Sequence, residues 1–151
     1  MKIRKATVKD AKTIHSLINR YAQKDTMLPR SLNEICENIR DFFVCTNQKK
    51  VIGISALHIM WEDLAEIRSI AVSKNYQNKG IGKKLIEKCL EEAQTLGIKK
   101  IFVLTYNPDF FKKIGFLGVD KNTLPQKIWG DCFKCPKFPE CDEVAVIKIL
   151  H

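Results

Sequence analysis

The stretch Glu66–Gly82 reads E-I-R-S-I-A-V-S-K-N-Y-Q-N-K-G-I-G, and the rest of the chain is organised around it. Its first half reads as a strand, with Ile67, Ile70, Ala71 and Val72 apolar around Arg68 and Ser69. Its second half, Gln77-Asn78-Lys79-Gly80-Ile81-Gly82, leads two glycines straight into an amphipathic helix. The first turn of a helix has N–H groups without intrahelical partners and the positive end of the helix dipole, and glycine lets an anion approach the backbone. With Lys79, Lys83 and Lys84 around it, the segment reads as a phosphate cradle. A glycine-started helix with a solvated basic rim is the plainer reading of the same residues. Neither G-x-x-x-x-G-K-[ST] nor G-x-G-x-x-G with an acidic residue downstream is present. The signatures of nucleotide hydrolysis and dinucleotide binding are therefore missing.

At 151 residues the chain reads as a single domain, 1–151, large enough to bury a core without staples. A hydrophobic content of 45% with 28% charged residues is that of a soluble globular protein. No apolar run approaches the roughly 20 residues of a membrane span. Met1-Lys2-Ile3-Arg4 leads into a strand-like segment rather than a signal peptide. The expectation is a cytoplasmic protein with no membrane partner. A net charge of +9 attracts polyanions. The lysines are scattered rather than gathered into a basic arm, which argues against nucleic acid and leaves a small polyanion as a fitting partner.

Outward from the central stretch, residues 3–6 read as a first strand. Thr7-Val8-Lys9-Asp10 is a capping box opening a helix with Ala11, Ile14, Ile18, Tyr21 and Ala22 on one face. Ser31-Leu32-Asn33-Glu34 is a second capping box, with Leu32, Ile35, Ile39 and Phe42 as the inner face of its helix. A hairpin turning at Asn47-Gln48-Lys49-Lys50 follows, then the strand 65–72. The helix after the loop turns Ile81, Leu85, Ile86, Cys89, Leu90 and Ala93 inward and stops at Gly97. Strands at 100–105, after Gly115-Phe116 and at 144–150 complete the chain, with a short helix from Asn107-Pro108-Asp109 between them. This order predicts an α+β (mixed α/β) domain, a central and mostly antiparallel twisted sheet flanked by helices.

Two motifs in this order resemble those of the GNAT N-acetyltransferase superfamily. The first is the Q-x-x-G-x-G loop, Gln77–Gly82, after a strand ending in Ala71-Val72. The second is Asn107 followed by F-F-K-K-I-G-F at 110–116. Local features narrow the likeness: Met27-Leu28-Pro29-Arg30-Ser31, the run from Trp61 through Asp63 and Glu66 to Val72, Phe102-Val103-Leu104-Thr105, and Trp129-Gly130-Asp131-Cys132 with Cys135-Pro136. Together they are similar to short, stand-alone N-acetylglutamate synthases, which acetylate the α-amine of glutamate in the first step of arginine synthesis. The resemblance implies acetyl-CoA as cosubstrate and a small-molecule amino acid, L-glutamate, as acceptor. Oligomeric state stays open, a homodimer included.

Such a reaction needs a base for the acceptor ammonium, an N–H donor for the tetrahedral oxyanion and a departing thiolate. Glu66 stands where GNAT enzymes often place the base; alternatively it pairs with Arg68 at a strand end. By period 2, Glu66, Arg68 and Ile70 are expected to share one strand face. The resemblance implies that backbone groups of Ile70, Ala71 and Val72 meet the pantetheine arm and the oxyanion. It implies that amides of Gln77, Asn78, Lys79, Gly80, Ile81, Gly82 and Lys83 hold the pyrophosphate. Asn107 would meet pantetheine, or merely cap its helix. Phe110 and Phe111 are core, or one of them lines the acetyl pocket. Many members carry a tyrosine at the position of Phe111 to protonate the thiolate, and this chain does not. A thiol pKa near 8.5 still makes the thiolate a tolerable leaving group.

Two carboxylates on the acceptor suit guanidinium partners. Arg30 matches a carboxylate-binding arginine of the synthases, and Arg68 is added by its shared face with Glu66. Lys127 and Lys134 are weaker candidates, and for both a solvated surface cation is the favoured reading. Of six cysteines, Cys36, Cys45 and Cys89 read as small buried hydrophobes. Cys132-x-x-Cys135 with Cys141 is half of a zinc motif, with His58, His151 or Asp131 as conceivable fourth ligands. Reduced thiols without metal are the preferred reading. Other acceptors (glutamine, a polyamine, a protein N-terminus), a non-catalytic acetyl-CoA-binding module and, on charge alone, a nucleic-acid binder are the competing functions.

Overall fold

The computed structural model describes residues 1–22, 29–120 and 144–150. In chain order the elements are β1 (Lys2–Lys5), α1 (Ala11–Ala22), α2 (Leu32–Glu37), β2 (Phe42–Asn47), β3 (Lys50–Trp61), β4 (Leu64–Val72), α3 (Ile81–Thr95), β5 (Lys100–Thr105), α4 (Pro108–Lys112), β6 (Leu117–Val119) and β7 (Val144–Ile149). Among the described residues the strands form one seven-stranded sheet in the order β1-β2-β3-β4-β5-β7-β6. All neighbours are antiparallel except β4 and β5, a parallel pair whose crossover is α3. The mixed α/β architecture expected from the sequence is the one observed. No described helix is long and apolar enough to cross a membrane.

Among the described residues, the two larger of three hydrophobic clusters sandwich the sheet. On one face Ala11, Ile14, Leu17 and Ile18 of α1 and Ile35 of α2 bury against Val44, Ile54 and Ala71. On the other, Ile81, Leu85, Ile86, Cys89 and Ala93 of α3 pack on Ile52, Leu57, Ile67 and Ile101, joined by Phe111 and Phe116. Each large apolar side chain so buried contributes about 1.5–3 kcal/mol. Gly53 lets α3 close onto the sheet: a Cβ there would stand 3.1 Å from Leu85 Cδ1 and 3.3 Å from Ile81 Cγ2.

The helix starts follow the capping signals. Thr7 N–H donates to Asp10 Oδ2 at 2.8 Å, and Ser31 Oγ accepts the Glu34 N–H at 3.1 Å. Asp10 is also held by both terminal nitrogens of Arg4, at 2.8 and 3.0 Å, and that guanidinium lowers its pKa. The β2–β3 hairpin turns through Gln48 (φ 50) and Lys49 (φ 68), the pair of positive φ angles that a two-residue type I′ turn requires.

Two expectations are corrected. The second helix is shorter than its apolar spacing suggested, and Phe42 begins β2 instead of ending the helix. Asn38 breaks it, placing both its N–H and its carboxamide on the Glu34 carbonyl, before a 3₁₀ turn at Ile39–Asp41. Cys36 is exposed, because α2 turns Ile35 inward and its neighbour outward. Cys45 and Cys89 are buried, and burial pushes the Cys89 thiol up to about 12. Lys127, Lys134, Cys132, Cys135, Cys141, Asp131 and His151 lie outside the described residues.

Candidate active site

The parallel pair β4–β5 is short. Only Leu64, Ala65 and Glu66 pair with Lys100, Ile101 and Phe102. Beyond Glu66, β4 continues along β3, while β5 continues along β7. The two strands part, and among the described residues the stretch from Ile67 to Val72 has no ladder partner on the β5 side. This notch presents main-chain N–H and C=O groups to whatever lies in it, and buried backbone groups need such a partner. Ile70, Ala71 and Val72 line it.

The far half of β4 carries a bulge. Ala56 opposes Arg68 and Ile54 opposes Ala71, so two steps on β3 match three on β4. The extra residue falls at Ser69–Ile70, and Ser69 takes φ 59, a left-handed conformation costing about 1–3 kcal/mol for a residue with a Cβ. A one-residue insertion reverses the alternation of faces. Ala65 and Ile67 belong to the α3 core before the bulge, and Ile70 and Val72 pack on that same core after it. The expected common face of Glu66, Arg68 and Ile70 is therefore corrected. Glu66 and Arg68 point to the α1/α2 side, whereas Ile70 points to α3.

On the α1/α2 side lies a shallow cleft lined by Arg30, Glu34, Asn38, Asp41, Arg68 and Ser69, among others. Arg30 and Arg68, far apart in sequence, thus meet in one place. Arg30 Nη1 is 3.6 Å from Glu34 Oε2, and Arg68 Nη1 is 3.7 Å from Glu66 Oε1. Burying the Glu66 carboxylate, 10% exposed, needs such a charge partner. Sequence reasoning missed Asp41, whose Oδ2 sits 2.7 Å from His58 Nδ1. His58 had drawn notice only as a conceivable metal ligand. Its place opposite Glu66 depends on strand register, which no local pattern reveals.

At the other end of the notch, Asn78 (φ 62) and Gly80 (φ 82) fold the backbone into the start of α3. Gly80 is the N-cap and brings no side chain to cap the helix, and the first turn holds no acidic residue. A Cβ on Gly80 would meet nothing within 4 Å, so the concavity is open. Exposed Lys79 and Lys83 flank it. Left-handed turns opening into a helix N-terminus form an anion-binding hollow. Gln77 holds the loop rather than reaching into it: its carboxamide donates to Val72 O at 2.9 Å and to Tyr21 Oη at 2.6 Å. Tyr21 also donates to the Val72 carbonyl.

The last expected group comes from β5 and α4. Asn107 occupies the N-cap position of α4 without a side-chain capping bond, so the helix-cap reading of its carboxamide fails. Phe110 stands against Gly82, where an added Cβ would lie 3.4 Å from its ring. Phe111 is 5% exposed and stacks edge-on with both Phe110 and Phe116, at 5.3 and 5.6 Å between centroids.

A notch of backbone groups leading to a basic anion hollow fits a long cosubstrate with a phosphate-bearing end. The Acetyltransferase (GNAT) family matches residues 9–116. The chain belongs to the GNAT acetyltransferase family. It is 45% identical over 148 residues to an uncharacterized N-acetyltransferase of Chlorobaculum tepidum, covering 98% of this chain and 96% of that one. It is 31% identical over 132 residues to an amino-acid acetyltransferase of Mycobacterium tuberculosis, covering 85% and 75%. The N-acetylglutamate synthase of Neisseria gonorrhoeae, solved with coenzyme A and N-acetyl-glutamate, matches with a TM-score of 0.90 at 25% identity. That likeness covers 99% of this chain and 35% of the synthase. This GNAT protein is an N-acetyltransferase that uses acetyl-CoA and is related to the amino-acid acetyltransferases.

Proposed function

We propose that this GNAT enzyme acetylates the α-amine of L-glutamate, the opening step of arginine synthesis, in the cytoplasm. The observation that carries the reading is the meeting of Arg30 and Arg68 in one cleft beside Glu66. Two guanidinium groups match the two carboxylates of the acceptor, and each can engage a carboxylate through two parallel hydrogen bonds. A polyamine would bring more positive charge to both. Relatives named amino-acid acetyltransferase add weight.

In this mechanism Glu66 takes a proton from the acceptor ammonium, directly or through water, and frees the nitrogen lone pair. Acetyl-CoA supplies the thioester whose carbonyl carbon that lone pair attacks and whose thiolate departs. Main-chain groups of Ile70, Ala71 and Val72 position the thioester arm, with an N–H aimed at the developing oxyanion. Amides from Gln77 to Lys83 hold the pyrophosphate, and Asn107 and Phe110 flank the arm. Phe111, built into the core, offers no proton, so the thiolate leaves without a tyrosine's help. Lys134 is retained as a further substrate-side candidate.

The test is thiol release from acetyl-CoA against a panel of amines: glutamate, glutamine, other amino acids, polyamines and an N-terminal peptide. Glutamate should give the highest kcat/KM. Preference for a polyamine would refute the acceptor while leaving the acetyltransferase. Binding of acetyl-CoA without turnover of any amine would leave a binding module.

A further inference from the structure

His58 of β3 lies directly opposite Glu66 of β4. Cross-strand partners stand on the same face with Cβ atoms about 4.5–5.5 Å apart. The imidazole and the carboxylate therefore share the α1/α2 side of the sheet. A third element holds the ring: Asp41, from the turn Ile39–Asp41, places Oδ2 2.7 Å from His58 Nδ1. The same Asp41 lines the cleft with Arg30 and Arg68. An ionised carboxylate only accepts, so Nδ1 is the donor of this contact, and in the neutral imidazole the free lone pair is then that of Nε2. Exposure rises outward, from 10% for the Glu66 side chain to 28% for that of His58.

We infer that His58, oriented by Asp41, is the proton relay behind Glu66. It acts through the carboxylate and does not touch the acceptor, and this assignment rests on the reading of Glu66 as the base. The acceptor ammonium gives one proton to the Glu66 carboxylate, and the amine lone pair then forms the bond to the thioester carbon. The Glu66 proton passes through a bridging water to His58 Nε2, which restores the carboxylate. The imidazolium opposite Asp41 releases that proton to water. The tetrahedral intermediate collapses with cleavage of the carbon–sulfur bond, and the departing thiolate takes up the second nitrogen proton. One proton is released to solvent per turnover. Among the described residues, the charged groups about the ring are Asp41 from its turn, Glu66 across the ladder and Arg68 two positions along β4. Arg40 precedes Asp41 in the same turn, and its carbonyl accepts from Lys5.

Two variants separate relay from scaffold. His58→Asn keeps an amide nitrogen near the Nδ1 position for Asp41 but has no titrating ring. His58→Ala leaves room for added imidazole. Both should lose about tenfold or more in kcat, within the range ascribed to positioned acid–base groups. The KM for acetyl-CoA should stay at the parent value, and the acidic limb of the kcat–pH profile should change. Imidazole in the buffer should restore part of the His58→Ala rate. Parent kcat and pH profile in His58→Asn would overturn the relay, as would a loss with an unaltered profile and no imidazole rescue. If His58→Ala does not fold, His58→Asn and its pH profile decide alone. Glu66→Gln is assayed alongside. If it is slow while His58→Asn runs at the parent rate, only the relay falls. If Glu66→Gln itself runs at the parent rate, the base reading falls and the relay with it.

Discussion

Arg68 Nη1 lies 3.7 Å from Glu66 Oε1, with the two side chains 13% and 10% exposed. One guanidinium thus faces both the proposed base and the cleft proposed for the acceptor. Glu66→Gln should lower kcat by about 10²-fold or more, with the acetyl-CoA affinity unchanged. Because the two residues touch, Arg68→Ala should lower kcat as well as raise the KM for glutamate. The double variant should fall short of the sum of the single effects. Steady-state kinetics over a pH range checks this, and additive losses would show that the contact has no functional part.

Arg30 is the cleaner probe of the acceptor. Among the described residues its ion pair is with Glu34, four positions along, and not with Glu66. A charge-assisted hydrogen bond is worth about 1.5–3 kcal/mol, or roughly tenfold to a hundredfold. Arg30→Ala should raise the KM for glutamate by that factor and leave the KM for acetyl-CoA alone. Unchanged glutamate kinetics would remove the dicarboxylate reading.

Gly82 lies in the first turn of α3, against Phe110. Gly82→Glu brings a negative charge to the anion hollow and a Cβ to within 3.4 Å of the Phe110 ring. Acetyl-CoA binding should be lost in titration calorimetry while circular dichroism keeps the native signal. Retained affinity would displace the phosphate site from this loop.

Phe111→Tyr should not create a proton donor for the thiolate. The ring is buried between Phe110 and Phe116, so an added hydroxyl must find room in a packed core, at a cost of about 1–3 kcal/mol. Thermal unfolding should shift down, with turnover per folded molecule close to the parent value. A gain of an order of magnitude in kcat would mean that the ring edge opens onto the thiol.

Asp10 joins β1 to the start of α1 through Arg4, whose guanidinium holds the carboxyl below its usual range. A depressed folded-state pKa contributes stability above the unfolded value, near 3.9, that is lost as pH falls through the lowered one. Arg4 is 37% exposed, so water screens the pair and Asp10→Asn should cost only about 1 kcal/mol at neutral pH. Denaturant titrations should show parent and variant converging below about pH 4.

Local chemistry settled much of this protein in the sequence. Helix starts follow from Thr7–Asp10 and Ser31–Glu34, the α3 stop from Gly97, and the turn into α3 from glycines placed before a helix, because capping and turn preferences act over a few residues. Pairing across the sheet was decided only in three dimensions. The bulge at Ser69 turns Ile70 away from Glu66, though strict alternation puts them together. Asn38 ends α2 where the apolar spacing would have carried it on. The meeting of Arg30 with Arg68, and of His58 with Glu66 and Asp41, depends on which strands and turns become neighbours. Such contacts are set by loop closure and packing over the whole chain, and a residue's own neighbours in sequence hold no record of them.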